Sequence, residues 1–128
     1  MLGLSAAPRR CGALLAALLV VLSAASAPAL AAGALAVGKC GAYGKAFDYA
    51  ADAAAVAAAR KQCNGDCTTI TMRRACAALA IDLLNPCGAH GYAVEPKISS
   101  SLNAATRKCY EYGGKECVIR AWACDAKG

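Results

Sequence analysis

The chain says its most constraining thing twice. Cys40-Gly41-Ala42-Tyr43-Gly44-Lys45-Ala46 returns further on as Cys87-Gly88-Ala89-His90-Gly91-Tyr92-Ala93. A short apolar stretch precedes each copy, Ala34-Leu35-Ala36-Val37 and Ala78-Leu79-Ala80-Ile81. A helical segment follows each, closing on a basic pair and a cysteine: Arg60-Lys61-Gln62-Cys63 and Arg107-Lys108-Cys109. A further cysteine then opens a β-type run (Cys67, Cys117) and another ends it (Cys76, Cys124). Several features in one order mark an internal duplication, with repeats over about 34–76 and 77–124.

Each repeat reads as strand, strand, helix, strand. In the first, Ala34–Val37 and Ala42–Phe47 form a hairpin, and a helix spans about Ala53–Cys63 with Asp52 as its N-cap. Val56, Ala59 and Cys63 form its apolar stripe. Asn64-Gly65-Asp66 is turn chemistry, and Thr68–Arg74 alternates like a strand. In the second, Leu79–Asp82 and His90–Val94 pair across Asn85-Pro86, and Ser99 or Ser100 caps a helix striped by Leu102, Ala105 and Cys109. Gly113-Gly114 is a turn, and Val118–Ala123 is the last strand. The expected fold is a small α+β domain, duplicated as (strand-strand-helix-strand) twice and stapled by disulfides. Its mostly antiparallel sheet carries two helices on one face.

Residues 1–31 read as an export signal. Arg9-Arg10 supplies the positive end, Gly12–Ser26 an uncharged apolar run, and Ala29-Leu30-Ala31 the small residues before cleavage at Ala32. The run is shorter than the ~20 residues a membrane span needs. Cleavage removes Arg9, Arg10 and Cys11, so the net charge falls from +6 to +4 and the cysteines from 9 to an even set. An even cysteine count behind an export signal implies disulfides. It also explains a chain that is 59% hydrophobic but only 5% aromatic: the apolar leader and alanine fill the count, not large side chains.

The eight remaining cysteines allow roughly a hundred pairings. Local bridges 63–67 and 109–117 are geometrically easy. A 76–87 bridge is poor, because those residues sit at opposite ends of a hairpin, roughly 20 Å apart at ~3.3 Å per residue, against the ~5.5–6 Å that a disulfide spans. Two arrangements stay open: 76–124 with 40–87, which would tie the repeats together, or 40–76 with 87–124. A zinc site is the competing use of Cys63-x-x-x-Cys67; export and the absence of histidine in the cluster argue for disulfides, and no metal is expected.

Gly41-Ala42-Tyr43-Gly44, the alanine-rich Ala53–Cys63, Cys67, Cys76-Ala77-Ala78-Leu79-Ala80 and Trp122-Ala123-Cys124 together resemble the bacterial secreted "domain of unknown function 4189" family, over about Ala34 to Asp125. The resemblance implies an exported, disulfide-bonded bacterial protein. It favours 76–124, because both cysteines belong to the family pattern, and leaves 40–87 as the natural partner pair. The family brings no established catalytic residues; some members resemble immunity or inhibitor proteins of secreted toxins.

Little in the chain signals catalysis. His90 is the lone histidine. Asp48 and Asp52, at i and i+4, would share a helical face and offer acid/base chemistry, but helix N-termini attract carboxylates in any case. Ser99-Ser100-Ser101 lacks a nucleophile context, and no phosphate or calcium loop is visible. The basic pairs Arg60-Lys61, Arg73-Arg74 and Arg107-Lys108 read as solvated surface. Tyrosine suits binding surfaces, and Tyr49, Tyr110 and Tyr112 join Tyr43 and Tyr92 here. The expected function is therefore a non-enzymatic secreted or periplasmic binding module, of inhibitor or immunity type. Tyr43, Tyr92, His90 and Trp122 are its candidate surface. The alternatives are a small envelope hydrolase using Asp48, Asp52 or His90, and a structural envelope component. No cofactor, nucleic acid or lasting membrane anchor is expected. The partner would be an extracytoplasmic protein or envelope polymer, met by a monomer.

Overall fold

Strands β1 (Ala32–Val37) and β4 (Cys76–Asp82) are buried at every position, and their side chains alternate by size rather than by polarity. Leu35 and Val37 alternate with Ala34 and Ala36 in β1; Leu79 and Ile81 alternate with Ala78 and Ala80 in β4. Each strand is the centre of a three-stranded antiparallel sheet. β1 lies between β2 (Tyr43–Tyr49) and β3 (Thr68–Met72); β4 lies between β5 (His90–Glu95) and β6 (Cys117–Cys124). Helix α1 (Asp52–Gln62) crosses from β2 to β3, and α2 (Ile98–Glu111) from β5 to β6. The structure, a computed structural model, describes Gly3 and residues 32–125. Almost all of the expected export signal, Cys11 included, lies outside the described residues.

The duplicated strand-strand-helix-strand order is present. The strands form two sheets rather than one continuous surface, and each sheet carries its own helix. Large side chains from both sheets meet in the middle, Leu35, Val37 and Met72 from the first and Leu79 and Ile81 from the second, with Ala123 beside them. Small ones face outward to the helices. Ala34, Ala36 and Ala46 meet α1, while Ala78, Ala80 and Ala93 meet α2. The layers run helix, sheet, sheet, helix.

Glycine sets how closely each helix lies. A Cβ on Gly44 of β2, or on Gly91 of β5, would come within 3.0 Å of a helix carbonyl oxygen, that of Ala59 or Ala105. The helix backbone thus rests on strand backbone. The smallest side chains point down: Ala55, Ala59 and Cys63 beside α1; Ser101, Ala105 and Cys109 in α2. Val56 and Leu102, expected in the buried stripes, are pushed to the flanks and are half-buried.

The expected caps are corrected. Ala51 and Lys97 occupy the N-cap positions, without a side-chain cap. Asp52 is the first residue of α1. Its carboxylate turns instead to Arg73, 3.2 Å away. Helix α2 starts directly after Glu95-Pro96-Lys97, so Ser99 and Ser100 already lie inside its first turn.

The disulfides are Cys40–Cys87, Cys63–Cys67, Cys76–Cys124 and Cys109–Cys117. Of the arrangements left open by spacing, this is 76–124 with 40–87. Cys76 and Cys124 are cross-strand partners at the start of β4 and the end of β6. The Cys76–Cys124 bridge therefore lies within the second unit and does not tie the repeats, because Cys76 opens that unit. Only Cys40–Cys87 joins the units, through the β1–β2 and β4–β5 connections. Its loop restrains the unfolded chain by about 4 kcal/mol on the loop-entropy model. Cys63–Cys67 and Cys109–Cys117 each fasten the end of a helix to the start of the next strand.

Gly44→Ala and Gly91→Ala should each lower stability by about 3 kcal/mol in urea unfolding, because the added methyl must lift a helix off its seat. An effect below about 0.5 kcal/mol would contradict the backbone-on-backbone contact.

Candidate functional site

Gly91 draws α2 down onto β5, an edge strand, so residues on the side of α2 overhang that edge. Lys108 and Tyr112 stand one turn apart there. The helix ends at once: Gly113 takes φ 98, and the Gly114 N–H donates to the Cys109 carbonyl, a helix stop of the left-handed type. Beneath them the strand contributes His90 and Tyr92, whose rings stack with centroids 6.3 Å apart and planes 19° apart. His90 Nδ1 lies 3.2 Å from the Gly88 carbonyl oxygen. Lys108 Nζ donates to the Tyr92 carbonyl at 3.4 Å. Gly88, Ala89, His90, Gly91, Tyr92, Lys108 and Tyr112 enclose an open cleft of about 510 Å³. Tyr112 is 72% exposed, a large aromatic area left in water. The cleft offers two aromatic walls, one ammonium, one imidazole and a strand edge. Rings of this kind present apolar area with a hydrogen-bonding tip.

The rest of the expected surface lies elsewhere. Trp122 is exposed on β6, at the opposite edge of the same sheet. Tyr43, on β2, packs against the inter-sheet core with the Arg120 guanidinium 5.3 Å from its ring centroid. The structure thus brings together His90 and Tyr92, but neither Tyr43 nor Trp122 joins them. Lys108 and Tyr112 complete the cleft. Their signal in the sequence was the C-terminal turn of α2 lying over the repeated glycine.

The two candidate carboxylates do not share a helical face. Asp48, the penultimate residue of β2, takes φ 61, and its N–H donates to Asp125 Oδ1 at 3.0 Å. Asp52 is on α1 and pairs with Arg73. A strand-to-helix break separates them, because the left-handed residue at 48 turns the chain. His90 belongs to the other unit. Among the described residues, no three His, Cys, Asp or Glu side chains are placed to hold a metal, and no helix is long and apolar enough to cross a membrane.

Three buried polar groups escaped the sequence reading, and each fastens backbone groups. Ser101 Oγ donates to the Cys76 carbonyl at 2.6 Å, pinning α2 to the start of β4. Asp125 accepts from the N–H groups of Asp48 and Arg74, both at positive φ. Asp82 accepts from Leu84, Glu116 and Lys115 N–H, which holds the β4–β5 turn against the approach to β6. Burial pushes the Asp82 carboxyl up, but those three amides and the Lys115 charge outweigh it and hold the group below its ordinary value.

A family model described as "Domain of unknown function (DUF4189)" matches residues 32–124. No curated protein and no solved structure matches the chain.

Because the folded-state value of Asp82 is depressed, its ionised form stabilises the fold above the ordinary carboxylate value of about 4. That contribution is lost as pH falls through the folded value. Asp82→Asn should lower Tm at pH 7, and the gap to wild type should close as pH is taken below about 4. A gap independent of pH would show that the charge is not the stabilising element.

Proposed function

The chain belongs to the family described as domain of unknown function 4189, and on that footing we propose that it is an exported, non-enzymatic binding module, an inhibitor or immunity-type partner of an extracytoplasmic protein, that uses the β5 cleft as a monomer. Four disulfides fit an oxidising, extracytoplasmic compartment. The signal read in residues 1–31 supplies the route there, to the periplasm or beyond. The observation that carries the binding role is the exposed cleft itself. Lys108 and Tyr112 are held by a helix seated on backbone and fastened by Cys109–Cys117, above the His90–Tyr92 pair carried by β5. Rigid aromatic anchors of this kind bind at low ordering cost.

Wild-type protein immobilised with its disulfides intact should retain a reproducible partner from periplasmic and secreted fractions. Tyr112→Ala should weaken retention about tenfold or more. Trp122→Ala, at the far edge of the sheet, should leave it unchanged. Absence of any partner, or equal loss in both variants, would remove the cleft from the binding role.

A further inference from the structure

The two units treat the same strand edge differently. Along an antiparallel strand, residues alternate between bonding inward to the neighbour and pointing outward. The Asp82 N–H donates to the Ala89 carbonyl, so Ala89, Gly91 and Ala93 face β4. The backbone groups of His90, Tyr92 and Val94 face the outer edge. In the first unit the counterpart of Tyr92 is Lys45, and its edge is closed. The Gln62 side-chain amide accepts from the Lys45 N–H at 3.1 Å and donates to the Lys45 carbonyl at 2.8 Å. One amide thus stands in for a neighbouring strand.

In the second unit, Lys108 occupies the place of Gln62. An ammonium can only donate. It reaches the Tyr92 carbonyl and cannot take the Tyr92 N–H. Among the described residues no side chain accepts from that N–H. An open strand edge is a template for another strand. Here it forms the floor of the cleft already described, between the His90–Tyr92 rings and Tyr112.

We propose that the β5 edge recognises an extended acidic peptide segment of the partner protein, which adds to the sheet as a strand beside β5. Its backbone takes both groups of Tyr92, and the displaced Lys108 ammonium pairs with a peptide carboxylate. This rests on the binding role proposed for the cleft and specifies the chemistry of the partner. The charge of the lining selects the occupant: Lys108 is its one fully charged group, and no acid lines it. A second copy pairing edge to edge about Tyr92 would bring two Lys108 ammonium groups to one place, a like-charge contact that costs stability.

The test uses the disulfide-intact mature chain, amide hydrogen exchange, and a blocked seven-residue peptide of alternating valine and glutamate. In free protein the Tyr92 amide should exchange about tenfold faster than the Lys45 amide, and the peptide should slow it by a similar factor. A peptide N-methylated at its central amides, or with lysine for glutamate, should bind several-fold more weakly. Lys108→Gln should install the closure seen in the first unit, slowing Tyr92 exchange without peptide and weakening peptide binding about tenfold. The proposal fails if Tyr92 is already as protected as Lys45. It also fails if the glutamate peptide does not bind at millimolar concentration, or if Lys108→Gln and N-methylation have no effect. If partner retention still depends on Tyr112 in that case, the cleft remains a binding site and strand addition alone is overturned.

Discussion

Each helix rests directly on the backbone of an edge strand at a glycine, and the composition of the remainder follows from that contact. A helix so close leaves room only for alanine-sized side chains beneath it, which is why Ala34, Ala36, Ala78 and Ala80 line one face of the central strands. Bulk is then confined to the single layer between the sheets, where Leu35, Met72 and Leu79 are fully buried. Such a core buries little apolar area per residue, and burial is what ordinarily offsets the entropy of ordering a chain. The disulfides make up the deficit by restricting the unfolded chain. Two of them act at the ends of the helices, where loss of register would unseat the glycine contact.

The join between the units is narrower than the contacts within them, and specific links flank the apolar layer that the two sheets share. Cys40–Cys87 links the two hairpin connections. Beside it, Arg120 Nε donates to the Gly41 carbonyl at 3.2 Å while its guanidinium covers Tyr43. At the other extreme of the fold, Asp125 follows the last strand of the second unit and satisfies amides of Asp48 and Arg74 in the first. Both of those residues sit in left-handed backbone, a conformation that persists only where its surroundings hold it. The end of the chain's last strand therefore fixes two turns of the opposite unit, and the sheets are clamped at both ends of their shared layer.

Much of this was legible in the sequence because it was written twice. The Cys-Gly-Ala-x-Gly repeat located both hairpins, and the basic pairs before Cys63 and Cys109 located the end of α1 and, two residues short, that of α2. The division into two sheets was hidden because β1 and β4 alternate large with small rather than apolar with polar, so both faces read as core. The helix starts misled for a different reason. Asp52, Ser99 and Ser100 are good capping residues by type, but the chain enters each helix one to three residues earlier and leaves them inside it. Ser101, Asp82 and Asp125 gave no pattern to read. Their partners are backbone groups brought in by the tertiary fold, and side-chain spacing carries no record of these. The grouping of candidate binding residues was only half visible: alternation places Tyr92 with His90, whereas separating them from Trp122 needed the strand order.

A duplicated fold supplies its own comparison, and the comparison isolates where the units depart. The glycine seat, an alanine floor and a bridge from helix to strand recur in both, the bridge spanning four residues in the first unit and eight in the second. One group of departures lies at the outer edge of the second strand of each unit. Tyr43 there has become His90, Lys45 has become Tyr92, and Gln62 has become Lys108. The first set closes its edge, with the Gln62 amide meeting both groups of Lys45 and Tyr43 covered by Arg120. The second set places two stacked rings and an ammonium around an edge that it half satisfies. Leaving a backbone donor unpaired costs free energy unless water or a partner completes it. Nothing in the seating of α2 requires Lys108, because Gln62 serves at the same position under the same glycine contact. The open edge is thus separable from the scaffold that carries it, and it is there that the second unit leaves exposed a backbone group that the first unit closes.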